Sequence, residues 1–128
     1  MVPFRIIGSS IALTGLASLL SGAALADGPQ AIGTAVQHSG LAANAADIDA
    51  VHRHLHHALN CLVGPDGNGF DAAPGNPCAD AGGAIPQTAD AAMKMKLEMA
   101  ATQVRGGIAN ANIEAAKKVA TDVQAMLR

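Results

Sequence analysis

One long stretch that resists helix formation sits inside a chain that otherwise favours little else. Between Val63 and Gln87 lie six glycines and four prolines, with Asp and Asn among them. Residues of these types break helices and favour turns. On either side alanine dominates, and Leu, Ile, Val and Met recur at helical spacing. Alternation of β-branched and aromatic residues, the mark of a strand, is missing. The expected fold is therefore all-α: two helical hairpins forming an up-down four-helix bundle, with the Gly/Pro loop 63–87 joining helices two and three.

Four helices are predicted, at about 29–44, 47–62, 88–105 and 110–128. Asp47 is a good N-cap for the second, Asp49 complements the dipole of its first turn, and Gly64-Pro65 stops it. The third begins near Thr88, after Pro86, and stops at Gly106-Gly107. The fourth opens near Asn110 or Asn112, with Glu114 in its first turn. A shift of 65 residues lays Ile48, Ala50, His54, Ala58 and Leu62 on Ile113, Ala115, Val119, Val123 and Leu127, and Asp47 on Asn112. That weak repeat fits two related hairpins, although chance matching is a serious alternative in a chain so rich in alanine.

Residues 1–26 read as a secretory signal peptide. Arg5 supplies the positive n-region, Ile11 to Leu20 the apolar run, and Ala24-Leu25-Ala26 a small-x-small cleavage site. The expected mature chain, 27–128, is one domain in the periplasm or outside the cell, with no membrane association after cleavage. Its seven Lys and Arg against ten Asp and Glu argue against nucleic acid, which needs a basic footprint. Export also makes Cys61 and Cys78 a disulfide candidate. Closing their loop is worth ~3 kcal/mol in the chain-entropy treatment. The competing reading is a free Cys61 thiol acting with His57.

The strongest chemical signal is histidine. Four of five fall within six residues, in Val51-His-Arg-His-Leu-His-His-Ala58, and none follows His57. On a helix, Ile48, Val51, Leu55, Leu59 and Leu62 form the apolar stripe. His52 borders that stripe and His56 lies one turn along, an i, i+4 pair able to share one cation. His54 and His57 form an i, i+3 pair roughly across the opposite side. Neutral imidazole suits copper(II), nickel, zinc and iron, but a closed site wants about four ligands. His38 from the first helix, a neighbouring carboxylate or a second copy of the chain in a homo-oligomer would supply the rest. Met95 and Met99, at i, i+4 with Met93 nearby, offer thioethers that select Cu(I), which makes copper the first metal to test. The plainer readings are a solvated histidine face and methionines that fill gaps in the core. Asp66-Gly-Asn-Gly-Phe-Asp71 fails the EF-hand pattern and reads as turn chemistry.

The segments Ala35-Val36-Gln37-His38 and Val51-His52-Arg53-His54-Leu55-His56-His57-Ala58-Leu59 resemble the small metal-binding protein family, exported Ala-rich helical bundles with repeated histidines. The resemblance spans residues 31–62. It implies a periplasmic divalent-metal binder with His38, His52 and His56 as ligands. This chain departs from the family in having few histidines and in its long loop with Cys61 and Cys78, which points to one or two sites instead of bulk sequestration.

Three functions follow from the residues. The leading expectation is a non-enzymatic metal buffer, carrier or sensor. The second is a helical interaction module whose histidines form a solvated or pH-responsive face. The third, an enzyme or b-type haem protein using His52 or His56 with a Met, is disfavoured. Only Glu98 and Glu114 are present, neither within a Glu-x-x-His motif, and no carboxylates are paired for acid–base work.

Overall fold

The computed structural model describes residues 27–128. The signal-peptide reading of 1–26 lies outside them. The described residues are all-helical, with five helices and no strand: α1 (Gly28–Ala43), α2 (Ile48–Val63), α3 (Ala84–Gln87), α4 (Ala91–Ile108) and α5 (Ile113–Leu127). No helix among them is long and apolar enough to cross a membrane.

Local chemistry sets the boundaries. Pro29 opens α1, where its missing N–H has no intrahelical role to fill. Asp47, Asp90 and Asn112 cap α2, α4 and α5, each side chain accepting from the backbone N–H three residues on, at 2.8, 2.7 and 2.9 Å. Gly64 ends α2 with φ 74°, a conformation open to glycine.

Two features differ from the sequence reading. The loop was expected to contain no helix, yet Ala84–Gln87 forms a turn of one. Pro86 is tolerated there because the first turn of a helix needs no N–H donor. Gln87 Nε2 donates to Gly83 O at 2.9 Å and Thr88 Oγ1 to Ala84 O at 2.7 Å, closing the turn. Helix α4 also runs through Gly106-Gly107 to Ile108 instead of stopping there. Gly107 is buried, and a Cβ on it would lie 3.0 Å from Leu55 Cδ1 and from Val119 Cγ1. This glycine admits neighbouring side chains; it does not break the helix.

The long helices pack in the cyclic order α1, α2, α4, α5, with α2 also meeting α5, while α3 rests against α1, α2 and α4. The core is aliphatic. Leu55, Leu59, Leu62, Leu97, Val51, Val104 and Val123 are its largest apolar side chains. The buried face of α1 is made only of Gly28, Ala31, Ala35, Ser39 and Ala42. Helix separation depends on the side chains at the contact, so this thin face lets α1 lie close to α2 and α5.

The loop is folded back onto α2. Cys61 and Cys78 are joined by a disulfide, with Cα atoms 5.2 Å apart and both residues buried. Asn60, fully buried, donates through Nδ2 to Asp71 O (2.7 Å) and Gly75 O (2.9 Å) and accepts from Asp71 N (3.1 Å). All the polar atoms of that amide are satisfied by loop backbone, as a buried amide requires.

Two substitutions on α1 check the thin-face account by chemical denaturation. Gly33 is exposed with open space around it, so Gly33→Ala should stabilise by about 0.5–1 kcal/mol. Ala35→Leu forces a larger side chain into the α1 contact and should destabilise by about 1–3 kcal/mol.

Candidate metal centre

Helices α1 and α2 bring three histidines together. His38 Nδ1 lies 3.2 Å from His54 Nδ1 and 3.3 Å from His57 Nδ1. Taking one ring nitrogen from each residue, the three can lie within 4.8 Å of one another. Among the described residues they are the one group of three or more His, Cys, Asp or Glu side chains with ligand atoms so close.

Two of the three ring pairs meet edge to face and the third is stacked. His57 meets His38 at 86° and His54 at 80°, while His38 and His54 are inclined by 30°. Two imidazoles on one tetrahedral ion, with metal–nitrogen bonds near 2.0–2.1 Å, place their nitrogens about 3.3–3.4 Å apart. The two separations to His38 Nδ1 match that spacing closely.

Proton accounting leads the same way. His57 Nε2 lies 2.7 Å from Pro74 O. A carbonyl only accepts, so Nε2 carries the hydrogen and, in the neutral ring, Nδ1 presents a bare lone pair to the cluster. His38 Nδ1 then faces two other nitrogens, and a single hydrogen on it can serve one of them. A cation between the rings would serve all three. The bond to Pro74 is also what ligating histidines usually make: the second ring nitrogen donates to a carbonyl and fixes the ring.

The electrostatics favour neutral rings. Burial, then the proximity of His57 and His54, push the His38 imidazole down to about 4. Burial, then His57 and Arg53, lower His54. A neutral imidazole keeps the lone pair that ligation needs.

The expected ligand pair is divided differently. His52 and His56 do not join the cluster. His52 Nε2 contacts Asn110 O at 2.9 Å, at the junction of α4 and α5. His56 has its Nδ1 buried with no hydrogen-bond partner, and its imidazole is lowered mainly by burial, against a raising influence from Asp71. The reason is rotational: the two pairs flank the apolar stripe on opposite sides, and α1 with His38 packs along the flank of His54 and His57. Cys61 is committed to its disulfide, so the reading of a free thiol beside His57 falls away. Met93, Met95 and Met99 are exposed, which corrects the expectation that they fill the core. Met95 and Met99 border a surface pocket with Glu98, Thr102 and Gln103, and no histidine lines it. The sequence reading missed Asn60 and Pro74, whose roles depend on the path of the loop.

No protein-family model, no curated protein and no solved structure matches this chain.

Stability should depend on pH with a definite sign. Folded His38 resists protonation down to about pH 4, whereas in the unfolded chain it takes up a proton near 6.5. The unfolded state therefore gains the proton first as pH falls. The stability at stake is complete above about pH 6.5 and is lost progressively toward pH 4. His54 and His56 act in the same direction. The urea midpoint of metal-free protein should drop between pH 7 and pH 5, and His38→Gln should reduce that drop.

Proposed function

We propose that this chain is an exported, non-enzymatic metal-binding protein that holds one divalent transition ion between α1 and α2. His38, His54 and His57 are the ligands, and the fourth position is left to water or an incoming donor. The observation that carries this reading is the approach of three Nδ1 atoms, two of the gaps being 3.2 and 3.3 Å, with His57 already oriented by a carbonyl. We also read the ring of four long helices as an up-down bundle, the framework that gives α1 and α2 a fixed register.

An all-imidazole ligand set suits Cu(II), Ni(II) and Zn(II). The thioethers that favoured copper line a pocket without histidine, so copper in its Cu(II) form stands on the same footing as nickel and zinc. Three ligands with an open position suit a carrier, buffer or sensor, because an ion that is not fully enclosed can be handed on by ligand exchange. Residence in the periplasm accords with the disulfide, since such bonds persist in oxidising compartments. The resemblance to the small metal-binding protein family supports the same class, with His54 and His57 replacing His52 and His56 beside His38.

Calorimetric titration of the purified chain with Zn(II), Ni(II) and Cu(II) tests the proposal. One ion per chain is expected. Removing even an outer-shell partner of a metal ligand typically costs 10–100-fold in affinity. His38→Ala, His54→Ala and His57→Ala should each therefore weaken binding by more than about 100-fold, and His52→Gln by less than about twofold. Equal effects of all four substitutions, or no saturable binding, would contradict it.

A further inference from the structure

The histidine triad is not held by α1 and α2 alone. The loop segment from Asp71 to Cys78 arches over one face of α2 and is fastened to it at three points. His57 reaches Pro74 O at 2.7 Å. Asn60 holds Asp71 from both sides of its amide and Gly75 O at 2.9 Å. Cys61 is bonded to Cys78. Positions 57, 60 and 61 are spaced i, i+3 and i+4, so they lie on one face of the helix.

Within the arch each anchor is braced. Asp71 Oδ1 accepts from Ala73 N at 2.9 Å, Gly75 N donates to Ala72 O at 3.0 Å, and Asn76 Oδ1 accepts from Cys78 N at 3.1 Å. Gly75 has φ 108°, and a Cβ there would sit 3.3 Å from His57 Nε2. The loop thus turns beside the imidazole at a residue whose lack of a side chain leaves the Pro74 carbonyl free to meet it.

We propose that the Asp71–Cys78 arch is the positioning device of the metal centre: Asn60 and the Cys61–Cys78 disulfide hold the Pro74 carbonyl on His57 Nε2, and that carbonyl aims the Nδ1 lone pair of His57 at His38. This inference rests on the metal-binding reading and assigns residues outside the ligand set to the control of affinity. Asn60 makes its side-chain hydrogen bonds to Asp71 and Gly75, none of them to a ligand, and acts through the backbone it fixes. A helix residue needed only for stability would brace any part of the loop. Asn60 instead holds Asp71 and Gly75, and the latter is bonded to Pro74.

The test has two readouts. The first is the tautomer of His57 in metal-free protein, read from the imidazole nitrogen shifts in a ¹⁵N-labelled sample. The expected state is hydrogen on Nε2 in the wild type, shifting toward a mixture of tautomers in Asn60→Ser and in Cys61→Ala/Cys78→Ala. The second is zinc affinity, expected to fall about 10–100-fold in Asn60→Ser, the range for loss of an outer-shell partner, with far-ultraviolet circular dichroism unchanged. Should the double cysteine variant fail to fold, Asn60→Ser and Gly75→Ala carry the test. An unaltered His57 tautomer in folded Asn60→Ser would overturn the inference while leaving metal binding intact. So would wild-type zinc affinity in that variant with its loop amides exchanging freely. If the wild type bound none of Zn(II), Ni(II) and Cu(II), the function proposed above would fall and this assignment of affinity control with it, even where the tautomer readings still showed the arch orienting His57.

Discussion

The close lie of α1 against α2 is the constraint from which the rest follows. It is possible because the buried face of α1 carries nothing larger than serine. Leu55, Leu59 and Leu62 of α2 supply much of the bulk that α1 lacks, so the core stays filled while the helix stays near. His38 stands three residues after Ala35 and four before Ala42, on the edge of that thin face. From there its ring reaches His54 and His57. A bulkier α1 face would push the helices apart and separate the nitrogens, which already sit at the spacing one ion requires.

The second layer of organisation is the loop. A segment rich in glycine and proline loses much conformational entropy when ordered, and here α2 anchors it through Asn60, Cys61 and His57. The same contacts that order the loop close one side of the histidine cluster and occupy the second nitrogen of His57. Stability and site geometry are therefore coupled through one helix face.

Much of this was legible in the residues. Asp47 and Asn112 cap as expected because a short side-chain acceptor before an apolar-periodic run has few other uses. The stripe Val51, Leu55, Leu59, Leu62 is buried, and the two cysteines are bridged. The pairing of the histidines was less accessible. A helical wheel shows that His52 and His56 lie on one flank of the stripe and His54 and His57 on the other; it does not say which flank meets α1. That depends on how α4 and α5 take the remaining side, where His52 contacts Asn110. His38 was recognisable as a partner, but its choice of flank is a tertiary property. Gly106-Gly107 misled for a related reason: the pattern that ends a helix is the same pattern that permits close packing, and the neighbours Leu55 and Val119 decide between them. Asn60 carried no signal at all, since nothing in a sequence announces which carbonyls a folded loop will present.

Zinc-edge X-ray absorption on the protein loaded with one equivalent of Zn(II) tests the central claim most directly. The account predicts three imidazole nitrogens at about 2.0–2.1 Å, with one imidazole lost in His38→Ala. A first shell with fewer than three imidazoles, or one identical in the wild type and in His38→Ala, would contradict it.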